Sequence, residues 1–270
     1  MATRRGVLAL TTGLTRINQV ATEQPNARFT ALMHWLNAEL LQACHQRLPA
    51  HRAVGVDGVA REDYAEHLTA RVTALVGRLP QQAYQPQPVR RVYIPKPGSA
   101  KQRPLGIPAY EDKLVQSAVS AILTAIYEAD FYDFSFGFRP QRGAHDALKL
   151  LNALIMTRKV NYVVDAYIHG FFDHVDHEWI MRFLRHRIAD ERLLRLIQRF
   201  LKAGIWEPRG VDGFGRRCPA GWEPVAHTGQ RVSALYLRPL VRESCEARCR
   251  GEAYLIRYAD DCAPRRRQAC

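Results

Sequence analysis

The 270-residue sequence holds no C-x-x-C pair, no internal repeat and no apolar run approaching the roughly 20 residues of a membrane-spanning helix. Its six cysteines, Cys44, Cys218, Cys245, Cys249, Cys262 and Cys270, show no disulfide framework. Cys245 and Cys249 are close in sequence, but no second cysteine pair or His-x-His completes a zinc set. All six read as reduced thiols. The N-terminal MATRRGVLAL turns polar too soon for a signal peptide. These absences exclude a disulfide-built secreted module and a zinc ribbon, and they predict a soluble, cytoplasmic chain. Acidic residues are scarce too: 26 Asp and Glu face 39 Lys and Arg, a formal charge of +13 with a pI near 9.8. Such a surplus favours a polyanionic partner, because neutralising phosphates releases counterions. Arginine supplies most of it, and its planar fork suits phosphate.

What is present is helical periodicity interrupted by isolated strands. Phe29, Leu32, Met33, Leu36, Leu40 and Leu41 predict a helix over 29–48. Tyr64, Leu68, Val72, Leu75, Val76 and Leu79 predict another over 62–79, with Gly55-Val56-Asp57-Gly58 as the turn between. Pro80, Pro86 and Pro88 then break the pattern, dividing a helical piece, 1–87, from the remainder, 88–270. Further helices are expected over 112–127, 144–156, 179–188 and 191–202, the last capped by Asp190. A basic extended stretch occupies 89–107, and 161–168 and 253–258 read as strands. Residues 206–224, rich in Gly, Pro and Arg, read as loop. Helices mixed with strands far apart in sequence point to an α+β domain.

Asp260 and Asp261 directly follow an apolar strand. Adjacent carboxylates repel unless a cation compensates. In phosphoryl transfer that cation is usually Mg²⁺, which takes carboxylate and phosphate oxygens. An Asp-Asp pair alone is more often a solvated turn. Here it ends Tyr258-Ala259-Asp260-Asp261, and other blocks precede it. They are Ile94-Pro95-Lys96-Pro97-Gly98, Arg103-Pro104-Leu105-Gly106-Ile107-Pro108 and Ser135-Phe136-Gly137-Phe138-Arg139-Pro140 with Ala144-His145-Asp146-Ala147-Leu148. Gly170-Phe171-Phe172-Asp173 with Asp176-His177, then Leu201-Lys202-Ala203-Gly204, complete the series. In these blocks and their order the chain resembles the reverse transcriptases encoded by bacterial group II introns, the maturase type. Gly55-Val56-Asp57-Gly58 is similar to that family's N-terminal extension.

The resemblance implies a right-hand polymerase fold: a helical N-terminal extension, then fingers and palm. It implies an RNA-directed DNA polymerase with Mg²⁺ as cofactor, and with intron RNA, template–primer and deoxynucleotides as partners. Carried over residue by residue, Lys96 and Arg103 would hold the incoming triphosphate, Phe172 would floor the sugar pocket, and Asp260 and Asp261 would ligate the metal ions. Arg90, Arg91, Lys96, Lys101, Arg103, Arg139 and Arg142 would face template and nucleotide from the fingers.

The sequence also departs from that pattern. The palm aspartate that bridges both metals is here Tyr167, within Val163-Val164-Asp165-Ala166-Tyr167-Ile168. A phenol with a pKa near ~10 is neutral at pH 7 and a poor Mg²⁺ ligand. Asp165 stands two residues, about 6–7 Å, back along the strand. In place of the family's P-Q-G-G turn stands Ala226-His227-Thr228-Gly229-Gln230. Nine residues follow Asp261, too few for a thumb, and Pro264 with three arginines makes 262–267 a poor return strand. The expectation is a reverse transcriptase domain without polymerase activity, or a non-catalytic RNA-binding fragment of a maturase.

Overall fold

The computed structural model describes residues 12–95, 98, 102–160, 162–163, 166–167, 176–207, 210–212, 254–258 and 261–266. Helices α1 (Thr12–Glu23), α2 (Ala38–Arg47), α3 (Arg61–Ala65) and α4 (Leu68–Arg78) precede strands β1 (Val89–Pro95) and β2 (Gln102–Ile107). Next come α5 (Tyr110–Tyr127), α6 (Ala144–Thr157) and the short strands β3 (Tyr162–Val163) and β4 (Ala166–Tyr167). Then follow α7 (His177–Arg187), α8 (Glu191–Leu201), β5 (Ile205–Glu207), β6 (Gly210–Asp212), β7 (Tyr254–Tyr258) and β8 (Asp261–Arg266). The mixture is α+β, as the sequence predicts.

Helix α5 is the axis of the core. Leu114, Val115, Ala118, Val119, Ile122 and Leu123 are each at most 1% exposed, so its apolar surface runs nearly all round and must be wrapped. Helices α1 and α2 pack directly on it, and α7 and α8 share its cluster. The core therefore runs without a break from Leu14 to Leu201, on both sides of residue 87. Helix α1 turns Leu14, Ile17 and Ala21 inward, and Asn18 Nδ2 donates to the Ala125 carbonyl at 3.0 Å. This helix was not anticipated from the sequence.

Two expected helices are divided. Over 29–48 only Met33–Trp35, a single 3₁₀ turn, and α2 are helical. Phe29 is held extended beside Ile188: its N–H donates to the Arg187 carbonyl at 2.8 Å, and its own carbonyl accepts from Ala189 at 2.8 Å. Asp190 Oδ2 then accepts from Leu32 and Met33 N–H, at 2.6 and 2.8 Å. Tertiary partners outbid the helical period there, and α2 starts afresh at Asn37, whose side chain accepts from Leu40 N–H at 2.9 Å. The helix over 62–79 likewise divides into α3 and α4, with His67 at φ −124° at the break.

Two sheets flank the helices. One has the order β2-β1-β5-β6. The hairpin β1–β2 is antiparallel, from Arg90 opposite Ile107 to Pro95 opposite Gln102, and β5 lies parallel to β1 with Ile205 opposite Val89. Strands β5 and β6 correct the loop expected over 206–224, at least as far as Asp212; 213–224 lie outside the described residues. Their cause is tertiary. Glu207 accepts from Arg91 Nη1 at 3.0 Å and from the Tyr93 hydroxyl at 3.2 Å, so β1 supplies the edge on which 205–207 becomes a strand.

In the second sheet β8 pairs with β7 on one side and with β3 and β4, in one register, on the other. Residues 261–266 are thus a good return strand, contrary to expectation. The hairpin closes with Tyr258 opposite Asp261, so directly bonded pairs recur at every second residue and Leu255–Pro264 falls between them. Pro264 therefore owes β7 no N–H.

Asp190 gathers four backbone N–H groups. It is 6% exposed, and Oδ1 accepts from Arg192 and Leu193 N–H at 3.0 and 3.2 Å while Oδ2 serves Leu32 and Met33. Asp190→Ala would strand four donors, several of them buried. We expect a loss of about 3–5 kcal/mol in urea unfolding. A loss under about 1 kcal/mol would contradict this role.

Candidate active site and nucleic-acid interface

Between β1 and β2 only Gly98 is described, and Lys96 lies outside the described residues. Arg103 is in β2, opposite Ile94. Val89 N–H donates to the Gly204 carbonyl at 3.1 Å, which moors the hairpin to the end of α8. Arg199 of α8 donates to the carbonyls of Gln82 and Tyr84 (the latter at 2.9 Å) and fixes the segment leading into β1. Asp112 holds the same segment from the other side. It accepts from the Tyr84 hydroxyl and, at 3.0 Å, from Gln87 N–H.

Burial outweighs those two hydrogen bonds and lifts the Asp112 carboxyl to about 7. Burial, then the Asp112 charge, push the Tyr84 phenol up as well. For Asp112 the folded state favours the protonated form, so its contribution is full below about pH 4 and is lost as pH rises through 7. Between pH 5 and 8 the wild type should lose roughly 2–3 kcal/mol relative to Asp112→Asn in paired unfolding curves. Parallel pH profiles would refute it.

The palm residues meet across β4 and β8. Tyr167 stands opposite Asp261, and Ala166 opposite Cys262. Tyr258 stands opposite Asp261 on the other side, so Asp261 is the first residue of a central strand. Position 167 and Asp261, 94 residues apart in sequence, are thereby neighbours. Asp165, Phe172 and Asp260 lie outside the described residues, and so do 226–230. No group of three His, Cys, Asp or Glu able to hold a metal occurs among the described residues.

The other edge of β7 is met by the Ser135–Pro140 block. Phe136 N–H donates to the Arg257 carbonyl and Arg257 N–H to the Phe134 carbonyl, both at 2.9 Å. Phe136, Ala147 and Ile256 form a small core there, packed by Leu150, Leu151, Leu154 and Tyr258. Arg139 shapes this loop. Its Nε and Nη2 donate to Glu128 Oε1 at 2.9 and 2.7 Å, its Nη1 to the carbonyls of Tyr132 and Ser135, and the guanidinium lies 4.9 Å from the Phe131 ring centre. Its side chain is 6% exposed. Arg139 is thus a strut, not the phosphate contact expected of it. Arg142 is engaged by Asp133 at 2.8 Å, and Arg91 by Glu207. The signal for Arg139 was available, since Glu128 and the Phe-rich block invite an internal partner, but a positive count cannot separate struts from free cations.

Over residues 94–263, more than half its length, the chain matches the family model "Reverse transcriptase (RNA-dependent DNA polymerase)", and it belongs to that family. Within it the chain is of the group II intron-encoded type. It is 36% identical over 195 residues to the group II intron-encoded protein LtrA of Lactococcus lactis subsp. cremoris, covering 72% of this chain and 32% of that protein. It is 35% identical over 193 residues to protein YkfC of Escherichia coli K12, covering 68% of this chain and 50% of that protein. The chain thus spans between a third and a half of these relatives. A shorter match, 30% over 97 residues, reaches the mitochondrial nuclear intron maturase 1 of Arabidopsis thaliana, covering 35% of this chain and 13% of that one. Reverse transcriptases as a family depend on divalent metal, and the relatives point to nucleic acid as partner. No helix among the described residues is long and apolar enough to cross a membrane.

Arg139→Ala should lower stability by about 2–3 kcal/mol, through the lost charged hydrogen bonds and the unpaired carbonyls left behind. The salt dependence of RNA binding should stay as it is. A flattened salt slope with unchanged stability would return Arg139 to the nucleic-acid surface.

Proposed function

We propose that this chain is an RNA-binding reverse transcriptase domain whose palm no longer assembles a two-metal site, so that it holds RNA without extending a primer. The observation that supports it is the residue opposite Asp261: a tyrosine, where the family places the carboxylate shared by both ions. Asp260 and Asp261 would hold Mg²⁺, which in this chemistry acidifies a primer hydroxyl and steadies the departing pyrophosphate. Two carboxylates and a neutral phenol do not fit a pair of bridged ions. Mg²⁺ demands near-ideal oxygen geometry, and the extra length of a phenol does not supply it.

Binding needs none of that. Lys96 and Arg103 keep the charge that would engage a triphosphate or a strand, and Phe172 would lie against the sugar. Intron RNA and template–primer are the partners this reading assigns, with deoxynucleotides as ligands that bind without turnover. If about five phosphates are neutralised, log affinity falls against log salt with a slope of roughly −3.5 on single strands.

On a primed RNA template with deoxynucleotides and Mg²⁺, the purified chain should give no extension product. Robust Mg²⁺-dependent extension would overturn the reading. Tyr167→Asp should raise the affinity for Mn²⁺, read by electron paramagnetic resonance, about tenfold (~1.4 kcal/mol). It should leave the RNA salt slope unchanged.

A further inference from the structure

One face of the palm sheet is turned toward α6, and among the described residues only part of that face is covered. Side chains alternate along a strand, so Tyr254, Ile256 and Tyr258 of β7 share a face. Ile256 packs with Phe136 and Ala147, and Leu150, Leu151 and Leu154 of α6 lie against them, so this is the face that carries the helix. Register extends the face across the sheet: Tyr254 stands opposite Arg265 of β8, and Arg265 opposite Val163 of β3. Val163 is therefore on the α6 side, yet it is 56% exposed. Helix α6 covers the β7 end of the face and leaves the β3 end open.

The open part has the width of a helix. Val163 is two strand spacings from β7, roughly 10 Å, and a helix with its side chains is about 10 Å across. Helix α6 is also apolar outside its packed side: Leu148, Ile155 and Met156 are 57%, 48% and 76% exposed. A sheet face half covered by one helix, beside a helix with apolar groups to spare, is completed by a second helix laid alongside. The border is basic. Lys149 on α6 and Arg158 and Lys159 just after it are exposed, and no exposed side chain described between 144 and 163 is acidic.

We infer that this half-covered face docks an amphipathic helix of another protein, with an apolar stripe against Val163 and α6 and with acidic residues along its flanks. Charge selects that occupant. A second copy of a +13 chain is repelled, whereas glutamates beside Lys149, Arg158 and Lys159 are attracted. The site is a protein-binding one, and it needs neither a nucleic acid nor a metal ion.

The test uses the full chain and designed, fluorescein-labelled helical peptides with leucine at i, i+3, i+4 and i+7, one flanked by glutamate and one by lysine. A third peptide has the acidic composition in scrambled order, without the stripe. By anisotropy the acidic amphipathic peptide should bind about tenfold tighter than either of the others. Met156→Gln/Val163→Thr should weaken it about tenfold. Lys149→Glu/Lys159→Glu should do the same and should favour the basic peptide. Trp179→Gln, at an exposed aromatic on α7, should change it by less than about twofold. Excess oligouridine should leave the peptide bound. Equal binding of the three peptides, displacement by oligouridine, or an equal loss in Trp179→Gln would each overturn the inference. The peptide comparison on the wild type decides the matter even where a variant fails to fold. A wild-type dimer in sedimentation that Met156→Gln/Val163→Thr abolishes would give the face to a second copy and overturn it too. So would co-sedimentation with phosphatidylserine vesicles that the same variant loses, since a lipid surface would then be the occupant.

Discussion

Four N–H groups from two distant segments converge on the carboxylate of Asp190, and much of the molecule follows from that convergence. A carboxylate has about four acceptor sites, and here all are taken by backbone. The residue that starts α8 therefore also fixes Leu32 and Met33, more than 150 positions away. Arg187, buried beside it, donates to the carbonyls of Ala21 and Pro25 and so fastens the end of α1. With α1 and α8 set, α5 is enclosed. The far end of α8 then holds Tyr84 and Val89 through Arg199 and Gly204, which aims the fingers hairpin.

Among the described residues the palm side holds a small buried cluster of Phe136, Ala147 and Ile256, and hydrogen bonds join its segments. The 134–136 segment closes the free edge of β7, which blunts an otherwise open strand. Arg139 makes that segment rigid from behind. Arginine thus serves two ends in this chain. Arg139, Arg187 and Arg199 bind carbonyls and carboxylates within the fold, while Arg52 stands exposed to solvent. Net charge measures the long-range field that gathers a polyanion, and says little about which side chains will touch it.

Much of the helical part could be read from the sequence because its signals are local. Asp190 as a cap, the 3.6 period of Leu193, Leu194, Ile197 and Leu201, and the apolar run of α5 all lie within a few turns of their effect. The failures have a common cause. The period over 29–48 is real, yet Asp190 and Ile188 capture its first part. Residues 205–207 have no strong strand pattern, yet β1 offers them an edge. Pro264 argues against a strand only where its missing N–H is needed, and the register of the hairpin asks for none on the β7 side.

The sequence by itself determined the family, through blocks whose order chance does not reproduce, and it determined the chemistry at position 167, since a phenol is there whatever the fold does. It also carried the charge surplus and the turn glycines. Only the tertiary structure decided that position 167 faces Asp261, that Arg139 is spent inside the fold, and that Arg52, Arg61 and Lys113 line one recess. A motif states which groups a segment owns. Which donors meet which acceptors depends on the convergence of segments a hundred or more residues apart, and that is settled by packing around α5.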